Sequence, residues 1–382
     1  MEQRQEGGYR SLLSRTRVAG SHGSSVNTST EAEIRVALVG FGLGGAAFHA
    51  PLIAATRGMR LTTVVTSNET RRSDALREYP GVRLAGSAEW IWDHASDHDL
   101  VVITTPNRVH ASLALKAFSA GLPVVIDKPF ARTAAEARQV IEAARARKLP
   151  VAAYHPRRWD SEYLTLRRLI GEGALGRVLR FESRLERWRP QLKGGWRERG
   201  AVEEAGGLLY DLGSHLIDQA LHLLGPVREV YAELDRRRPG AETDDDVFLA
   251  LTHTNGVRSH LWASAMAAQR GARVRVLGER AAFVKHHADP QEAALRSGGR
   301  PTQPHWGEDP HEHWGTLTDG VTEQRVRSEP GAYQRFYELM AATLRTGAPV
   351  PVDAEDAVAG LEIIEAAQRS AAQRSVITLV DR

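Results

Sequence analysis

The 382-residue sequence contains no cysteine and no long apolar run. The absence of cysteine excludes disulfide bonds, thiolate metal sites, iron–sulfur clusters and cysteine nucleophiles. No apolar run approaches the ~20 residues that a membrane-spanning helix requires, and the apolar core of a secretory signal is missing as well. We therefore expect a cytoplasmic protein without a membrane partner.

Lysine is also scarce, since only five of the 50 basic residues are lysine. The formal net charge is +3, and residues 1–30 alone hold four arginines against two glutamates. A body so close to neutrality lacks the basic surface that nucleic-acid binding needs, so we expect no nucleic-acid partner. Residues 1–32 are rich in Ser, Gly and Arg without apolar periodicity, which predicts a disordered extension.

From residue 33 onward, short apolar runs rich in β-branched residues alternate with helical segments. The runs lie at 34–39, 61–66, 100–104, 123–126 and 151–154. Fully apolar strands that alternate with helices are typical of βαβ units and a parallel sheet covered on both faces. We therefore predict an α/β fold with an N-terminal Rossmann dinucleotide-binding domain over residues 33–154.

Beyond residue 154 the pattern changes to longer stretches of alternating polarity. These stretches lie at 177–189, 227–235, 246–253, 257–265 and 272–276, with helical segments at 163–171, 209–224, 333–345 and 354–372. They predict an α+β domain over residues 155–382, for substrate binding and oligomerisation, with a large open antiparallel sheet. We expect the closing helix to pack back on the Rossmann domain and residues 289–320 to be irregular.

Gly40, Gly42 and Gly45 form a G-x-G-x-x-G pattern directly after the first strand and before a helix. The first glycine allows a tight turn, the second lets the backbone approach a pyrophosphate, and the third permits close helix–strand packing. The helix N-terminus that follows favours phosphate. This context predicts a dinucleotide site, to which Phe41 and Leu43 contribute as members of the same loop.

The end of the second strand indicates which dinucleotide binds. NAD sites usually place Asp or Glu there, to bind the ribose 2′-hydroxyl. Here the strand is followed by Ser67 and Asn68, with Arg71 and Arg72 close behind. Small polar groups beside guanidinium groups suit a 2′-phosphate. We therefore predict NADP rather than NAD, although both arginines could simply face water.

Two further patterns carry chemistry. Lys128 follows the fifth strand, at the edge where open α/β sheets bind ligands. Asp211 and His215 are four residues apart, so they share one face of a predicted helix. Taken alone, Lys128 could be an ordinary surface lysine, and Asp211 and His215 could be an ordinary solvated pair.

Taken together, these motifs resemble the Gfo/Idh/MocA oxidoreductase family over about residues 33–382, and within it the NADP-dependent scyllo-inositol dehydrogenases. The resemblance rests on GFGLGG (40–45), FHAPL (48–52), TTPNRVH (104–110), DKP (127–129), YHPRRWD (154–160) and GGLLYDLGSHLIDQALHLLG (206–225). It implies the two-domain fold described above. It also implies a homodimer or homotetramer, formed through the open sheet.

The resemblance also assigns roles to residues. It implies that Lys128, Asp211 and His215 are the catalytic set. The sequence departs from the family pattern at Asp127, where a glutamate is usual. The segment after the fourth strand is placed against the cofactor together with Lys128, through Thr105, Pro106, Asn107 and His110. The segment after the sixth strand is expected to line the substrate site, through Tyr154, His155, Arg157 and Arg158, with Asp211 and His215.

The expected reaction moves a hydride between nicotinamide and a carbinol carbon of a polyol or sugar, with scyllo-inositol and its inosose as the first expectation. His215 is the candidate general base, because the ordinary histidine pKa lies near neutral pH. Lys128 would stabilise the developing alkoxide or accept the proton itself. Asp211 would bind a substrate hydroxyl or orient His215.

Several alternatives stay open at this point. The substrate could be another inositol, an aldose or a modified sugar. The protein could also be a glycoside hydrolase that uses NAD transiently, or a non-catalytic NADP-binding sensor. A metal site is not expected, because His305, His311 and His313 lie in an irregular loop without chelating helical spacing.

Overall fold

The computed structural model describes residues 32–198, 200 and 204–379. The extension expected to be disordered, residues 1–32, lies outside the described residues except for Ala32. No helix in the described part of the chain is both long and apolar enough to cross a membrane.

The N-terminal domain contains six parallel strands in the order β3-β2-β1-β4-β5-β6. The strands are β1 Ile34–Val39, β2 Met59–Val65, β3 Arg83–Ala85, β4 Leu100–Ile103, β5 Val124–Asp127 and β6 Val151–Tyr154. The helices are α1 Ala50–Ala55, α2 Glu69–Glu78, α3 Glu89–Asp93, α4 His110–Ser119 and α5 Ala134–Ala146. The strand order reverses between β1 and β4, and such a reversal opens a ligand crevice at the carboxyl ends of the strands.

The second sheet has nine strands in the order β14-β13-β12-β11-β7-β10-β9-β8-β15. Its strands are β7 Val178–Glu186, β8 Val227–Asp235, β9 Asp246–His253, β10 Arg258–Ser264, β11 Val274–Gly278, β12 Ala282–Lys285, β13 Gly315–Thr318, β14 Glu323–Val326 and β15 Ile377–Thr378. Its helices are α6 Ser161–Gly171, α7 Ser214–Leu224, α8 Gln291–Arg296, α9 Arg335–Thr346 and α10 Ala354–Gln373. Burial alternates along β9, as one covered face requires.

The predicted α/β architecture with two domains is confirmed, but two details differ. The central pair β7 and β10 runs parallel, so the sheet is mixed rather than wholly antiparallel. A parallel pair needs a crossover connection, and the chain between these strands includes α7, β8 and β9. The region 289–320, expected to be irregular, contains α8 and β13, whose short lengths left almost no periodic signal.

Helix α10 joins the two sheets. It packs against α5 on one side and β8 on the other. The backbone N–H of Ala134 donates to Glu365 at 2.8 Å, and Arg138 pairs with Glu362. These contacts hold the carboxyl edge of the first sheet against the second sheet, where the site lies.

Candidate active site

One cavity of about 320 Å³ lies between the carboxyl edge of the parallel sheet and the second sheet. The glycine turn contributes Leu43 and Gly44 to its wall, and the segment after β5 contributes Lys128. Asp211 and His215 line it from the C-terminal domain. The structure therefore brings the three residues of the implied catalytic set into the same cavity as the glycine turn.

The glycine turn has the shape that a dinucleotide needs. Gly40 has φ +102°, and a Cβ there would lie 2.9 Å from the carbonyl oxygen of Thr104. A Cβ on Gly45 would lie 2.2 Å from the Gly40 oxygen. At Gly42, by contrast, a Cβ would meet nothing nearer than 3.9 Å. The middle position thus faces open space where a pyrophosphate can approach the backbone, and the turn fits the cofactor.

The residues after β2 separate into a cap and a free cation. The Asn68 side chain accepts a hydrogen bond from the Arg71 backbone at 3.0 Å and caps α2. Arg72 pairs with Glu69 at 3.3 Å. The Arg71 guanidinium lies 3.9 Å from the Cβ position of Gly42, and the ion pairs of the described residues do not include it. Ser67 is exposed beside them.

The segment after β4 mainly joins loops. Asn107 is buried and donates to the Ala205 carbonyl at 3.0 Å. The two ring nitrogens of His110 lie 2.9 Å from the Pro129 oxygen and 2.8 Å from the Thr105 oxygen. Both side chains therefore position backbone around the site. Pro106 lies beside them, as the N-cap of the short helical turn that precedes α4.

Lys128 and Asp211 form the central contact of the cavity. Lys128 Nζ donates to the Asp211 main-chain oxygen at 2.6 Å and to its carboxylate at 2.9 Å. Arg197 Nε lies 3.5 Å from the same carboxylate. Burial alone would raise the pKa of Asp211, but Lys128 and Arg197 outweigh it and hold the pKa well below its usual range. Asp211 is therefore a permanent anion.

His215 is the second residue of α7, two residues after the end of the π-helical turn Leu209–Gly213 that carries Asp211. Its ring lines the cavity, and its Nδ1 is buried without a hydrogen-bond partner. Burial, together with the nearby charges of Lys128 and Arg157, lowers the pKa of His215 well below the ordinary value. The imidazole is therefore neutral at neutral pH and can accept a proton.

Asp127 lines the cavity and also holds the backbone around it. It accepts a hydrogen bond from the Lys128 backbone at 2.8 Å, and His49 Nε2 lies 3.7 Å from the same oxygen. Burial would raise the pKa of Asp127, but His49 and Lys128 outweigh it and lower the pKa. The His49 Nδ1 is 2.6 Å from the Tyr337 hydroxyl. The shorter side chain, compared with the usual glutamate, thus keeps a defined set of contacts.

Only two of the four residues expected after β6 line the cavity. Tyr154 and Arg157 lie at the wall, and the Tyr154 hydroxyl donates to the Phe48 carbonyl oxygen. Arg158 instead donates to Asp218 at 2.6 Å, away from the cavity. His155 is buried, with its Nδ1 3.8 Å from an oxygen of that same aspartate. Neither His155 nor Arg158 is among the residues that line this cavity.

Several wall residues were not found from the sequence. Arg187 lies just beyond β7, Arg197 lies in the following loop, and Glu292 lies on α8. The alternation of Arg187 and Arg189 at a strand end was a signal that could have been used. Glu292 had none, because its role comes from contacts with residues far away in the chain.

No group of three or more metal-ligating side chains is found among residues 32–198, 200 and 204–379. His313 stacks on His287 with ring centroids 3.8 Å apart. His305 is largely exposed and pairs with Glu308, and His311 packs against Trp314.

Comparison with known proteins gives this geometry a family. Residues 34–155 match the NAD-binding Rossmann domain of the Gfo/Idh/MocA oxidoreductases, and residues 167–379 match the C-terminal alpha/beta domain of the same group. The chain belongs to the Gfo/Idh/MocA oxidoreductase family. It is an NAD(P)-dependent dehydrogenase, and the family resemblance seen in the sequence is confirmed.

Relatives of this Gfo/Idh/MocA protein match it over nearly their whole length. An uncharacterized oxidoreductase of Escherichia coli, YdgJ, is 38% identical over 91% of this chain and 99% of its own. The scyllo-inositol 2-dehydrogenase (NADP(+)) IolW of Bacillus subtilis is 35% identical over 91% of this chain and 96% of its own. The solved structure of the oxidoreductase yvaA from Bacillus subtilis has a TM-score of 0.86 at 34% identity, covering 91% of this chain and 99% of that one.

Proposed function

We propose that this protein is an NADP-dependent dehydrogenase of a cyclic polyol or sugar, with the interconversion of scyllo-inositol and its inosose as the reaction to test first. The observation that carries the proposal is the meeting of Lys128, Asp211 and His215 in one cavity with the glycine turn. The 35% identity to IolW, a scyllo-inositol 2-dehydrogenase (NADP(+)), supports the substrate class.

The chain's own residues handle the proton and the charge. When bound, the cofactor would supply a hydride acceptor at its nicotinamide ring, and the turn from Gly40 to Gly45 would hold its pyrophosphate. His215, neutral because of its burial, accepts the hydroxyl proton. Lys128 Nζ donates a hydrogen bond to the same oxygen and stabilises its developing negative charge. Asp211 holds Lys128 at 2.9 Å and accepts from a substrate hydroxyl.

Asp211 acts through the lysine rather than through the histidine. Its carboxylate contacts Lys128 and Arg197, and the described hydrogen bonds join neither of its oxygens to His215. Of the two roles expected for Asp211, we therefore propose substrate binding rather than the orientation of His215, and we add a third role, the positioning of Lys128.

The preference for NADP depends on Arg71 in this proposal. Its guanidinium lies beside the glycine turn, and a 2′-phosphate gives it a bidentate partner. We expect Arg71→Gln to raise the KM for NADP by about tenfold or more, because a hydrogen bond to a charged group is lost, while the KM for NAD changes little. Arg77→Gln, on the same helix and paired with Asp74, is the control, and an equal loss of both cofactors would contradict the assignment.

A substrate panel tests the proposed reaction. Inositols, inososes and aldoses are incubated with the protein and NADP or NAD, and the absorbance of the reduced nicotinamide is followed. We expect NADP-linked oxidation of scyllo-inositol and reduction of its inosose. The absence of activity on every cyclic polyol and its ketone would overturn the proposal.

A further inference from the structure

The cavity wall carries more positive than negative charge. Among the described side chains that line it, eight are arginine or lysine and five are aspartate or glutamate. Most of the cations have a carboxylate partner, such as Arg238 with Glu198 at 2.9 Å. The excess lies where the chain leaves β7 and enters the following loop, at Arg187, Arg189 and Lys193.

The backbone directs two of these cations to the same side. The N–H groups of Arg187 and Arg189 donate to the carbonyls of Ser264 and Ala265 at 2.8 and 2.7 Å, so the chain stays extended beyond β7. Alternate residues of an extended chain face the same side. Both arginines line the cavity, whereas Trp188 between them is 53% exposed.

These cations are poorly compensated. The described ion pairs give Arg187 one partner, Glu292 at 3.7 Å. That carboxylate is shared with Arg157 at 2.5 Å and with Arg296 at 3.0 Å. Burial lowers the pKa of Arg187; Glu292 raises it in part, while the neighbouring charges of Arg189 and Arg157 lower it further. Neither the Lys193 ammonium nor the Arg189 guanidinium forms an ion pair among the described residues.

The excess positive charge lies in the part of the cavity that we assign to the substrate, near Asp211. Arg187 is among the cations that lower the pKa of Asp211, and it contacts Glu292 of α8. Arg71, which forms no ion pair with any residue that the structure describes, lies instead beside Gly42. An anion bound by Arg187 is therefore part of the substrate and not a phosphate of the dinucleotide.

We propose that the preferred substrate of this site is a cyclic polyol or sugar that bears an anionic substituent, a carboxylate or a phosphate, bound by Arg187 and Arg189. The inference rests on the proposed dehydrogenase function and narrows its substrate class. An acidic group would supply the missing negative charge in a partly buried place, where charge-assisted and bidentate hydrogen bonds are strong. Lys193 adds to the same field at the cavity mouth.

Steady-state kinetics with NADP compares three substrates: neutral scyllo-inositol, an inositol monophosphate and a hexuronate. We expect kcat/KM for one of the two acidic substrates to exceed that for scyllo-inositol by about tenfold or more, as a hydrogen bond to a charged group predicts. Whichever acid reacts faster identifies the anionic group. The preference should weaken as ionic strength rises, because salt screens the attraction.

Arg189→Gln tests the residue without endangering the fold, because Arg189 is exposed. We expect the acid-to-neutral ratio of kcat/KM to fall about tenfold, Arg189→Lys to retain part of it, and Arg258→Gln, an exposed arginine of β10, to leave it unchanged. A neutral substrate preferred over both acids, or a ratio that Arg189→Gln does not change, would overturn the inference and leave the proposed function intact.

Turnover of none of these three substrates, together with no activity in the panel of inositols, inososes and aldoses, would overturn the proposed function. Calorimetric titration of the hexuronate and the inositol phosphate into the protein with NADPH then decides the anion site separately. Saturable binding that Arg189→Gln weakens supports the site, and the absence of such binding overturns it.

Discussion

The Lys128 ammonium donates to two oxygens of Asp211 across the line between the two domains. Because this pair places a cation beside His215, it also contributes to the low pKa of the imidazole. A neutral base and a charged hydrogen-bond donor therefore lie in one cavity. Oxidation of an alcohol needs this combination, since one group removes a proton and the other stabilises the oxygen.

The pH dependence of polyol oxidation follows from His215. The base must be neutral, and a pKa lowered in the folded protein moves protonation to lower pH. The ordinary pKa of histidine is about 6.5. We therefore expect kcat/KM for oxidation to show no fall centred near that pH. The measurement is the pH profile of kcat/KM between pH 5 and 9 for the wild type, and a clear inflection near that ordinary value would contradict the assignment.

His215→Asn complements the pH profile. Removal of a general base is expected to lower kcat by about 10²–10⁴-fold. His305→Asn, at a largely exposed position of the C-terminal domain, is the control and should keep wild-type turnover.

The sequence indicated which residues belong to the site, but it did not indicate the direction in which each side chain points. Lys128, Asp211 and His215 could be selected because each occurs in a motif with defined spacing. Arg157 and Arg158 are adjacent and identical in type, yet one lines the cavity and the other contacts Asp218. Arg157 has one near partner, Asp160, but both arginines also contact carboxylates more than 50 residues away, which local patterns do not reveal.

Within the glycine turn, one glycine is needed for packing and another for cofactor binding. Gly45 is needed because its Cβ would overlap the Gly40 oxygen at 2.2 Å, whereas Gly42 faces open space. The pattern of three glycines was recognisable from the sequence. The π-helical form of the turn over Gly44–His49, ahead of α1, was not, because hydrophobic periodicity does not distinguish it from an α-helix.

We expect Gly42→Ala to fold normally and to weaken NADPH binding by about tenfold or more, since a methyl group would occupy the approach of the pyrophosphate. Gly45→Ala should lower the free energy of unfolding by about 1–3 kcal/mol, as overpacking does. Fluorescence titration of NADPH and thermal melting measure the two effects. Gly86→Ala, with nothing within 4 Å of its Cβ, is the control, and normal cofactor binding by Gly42→Ala would contradict this account.

In the second sheet, the strands could be predicted from the sequence, but the direction in which they pair could not. The alternation along β7, β9 and β10 was visible in the sequence and predicted strands correctly. It could not give the parallel pairing of β7 with β10, because strand direction is set by the crossover through α7 rather than by the residues of either strand.

Across the whole molecule, Arg158 clamps three elements. From the short turn after β6 it donates to Asp218 of α7 at 2.6 Å and to Asp356 of α10 at 2.8 Å. Because α10 also packs against α5, this partly buried network helps to fix one sheet relative to the other. The cavity between the sheets depends on that arrangement.

Arg158→Met should therefore act on stability. It leaves the Asp218 carboxylate buried without its cation, which is expected to reduce the free energy of unfolding by about 3–5 kcal/mol. Chemical denaturation measures the loss, and Arg167→Met, at an exposed position on α6, is the control. A stability equal to that of the wild type would show that the clamp is not needed.

Lys128 is proposed to perform chemistry in a cavity that the glycine turn shares. The most direct measurement is turnover of scyllo-inositol or its inosose by Lys128→Ala, together with NADPH binding by the same variant. We expect kcat to fall by about 10²–10⁴-fold while NADPH still binds, and Lys116→Ala, at an exposed lysine of α4, to remain active. Wild-type turnover by Lys128→Ala would contradict the account.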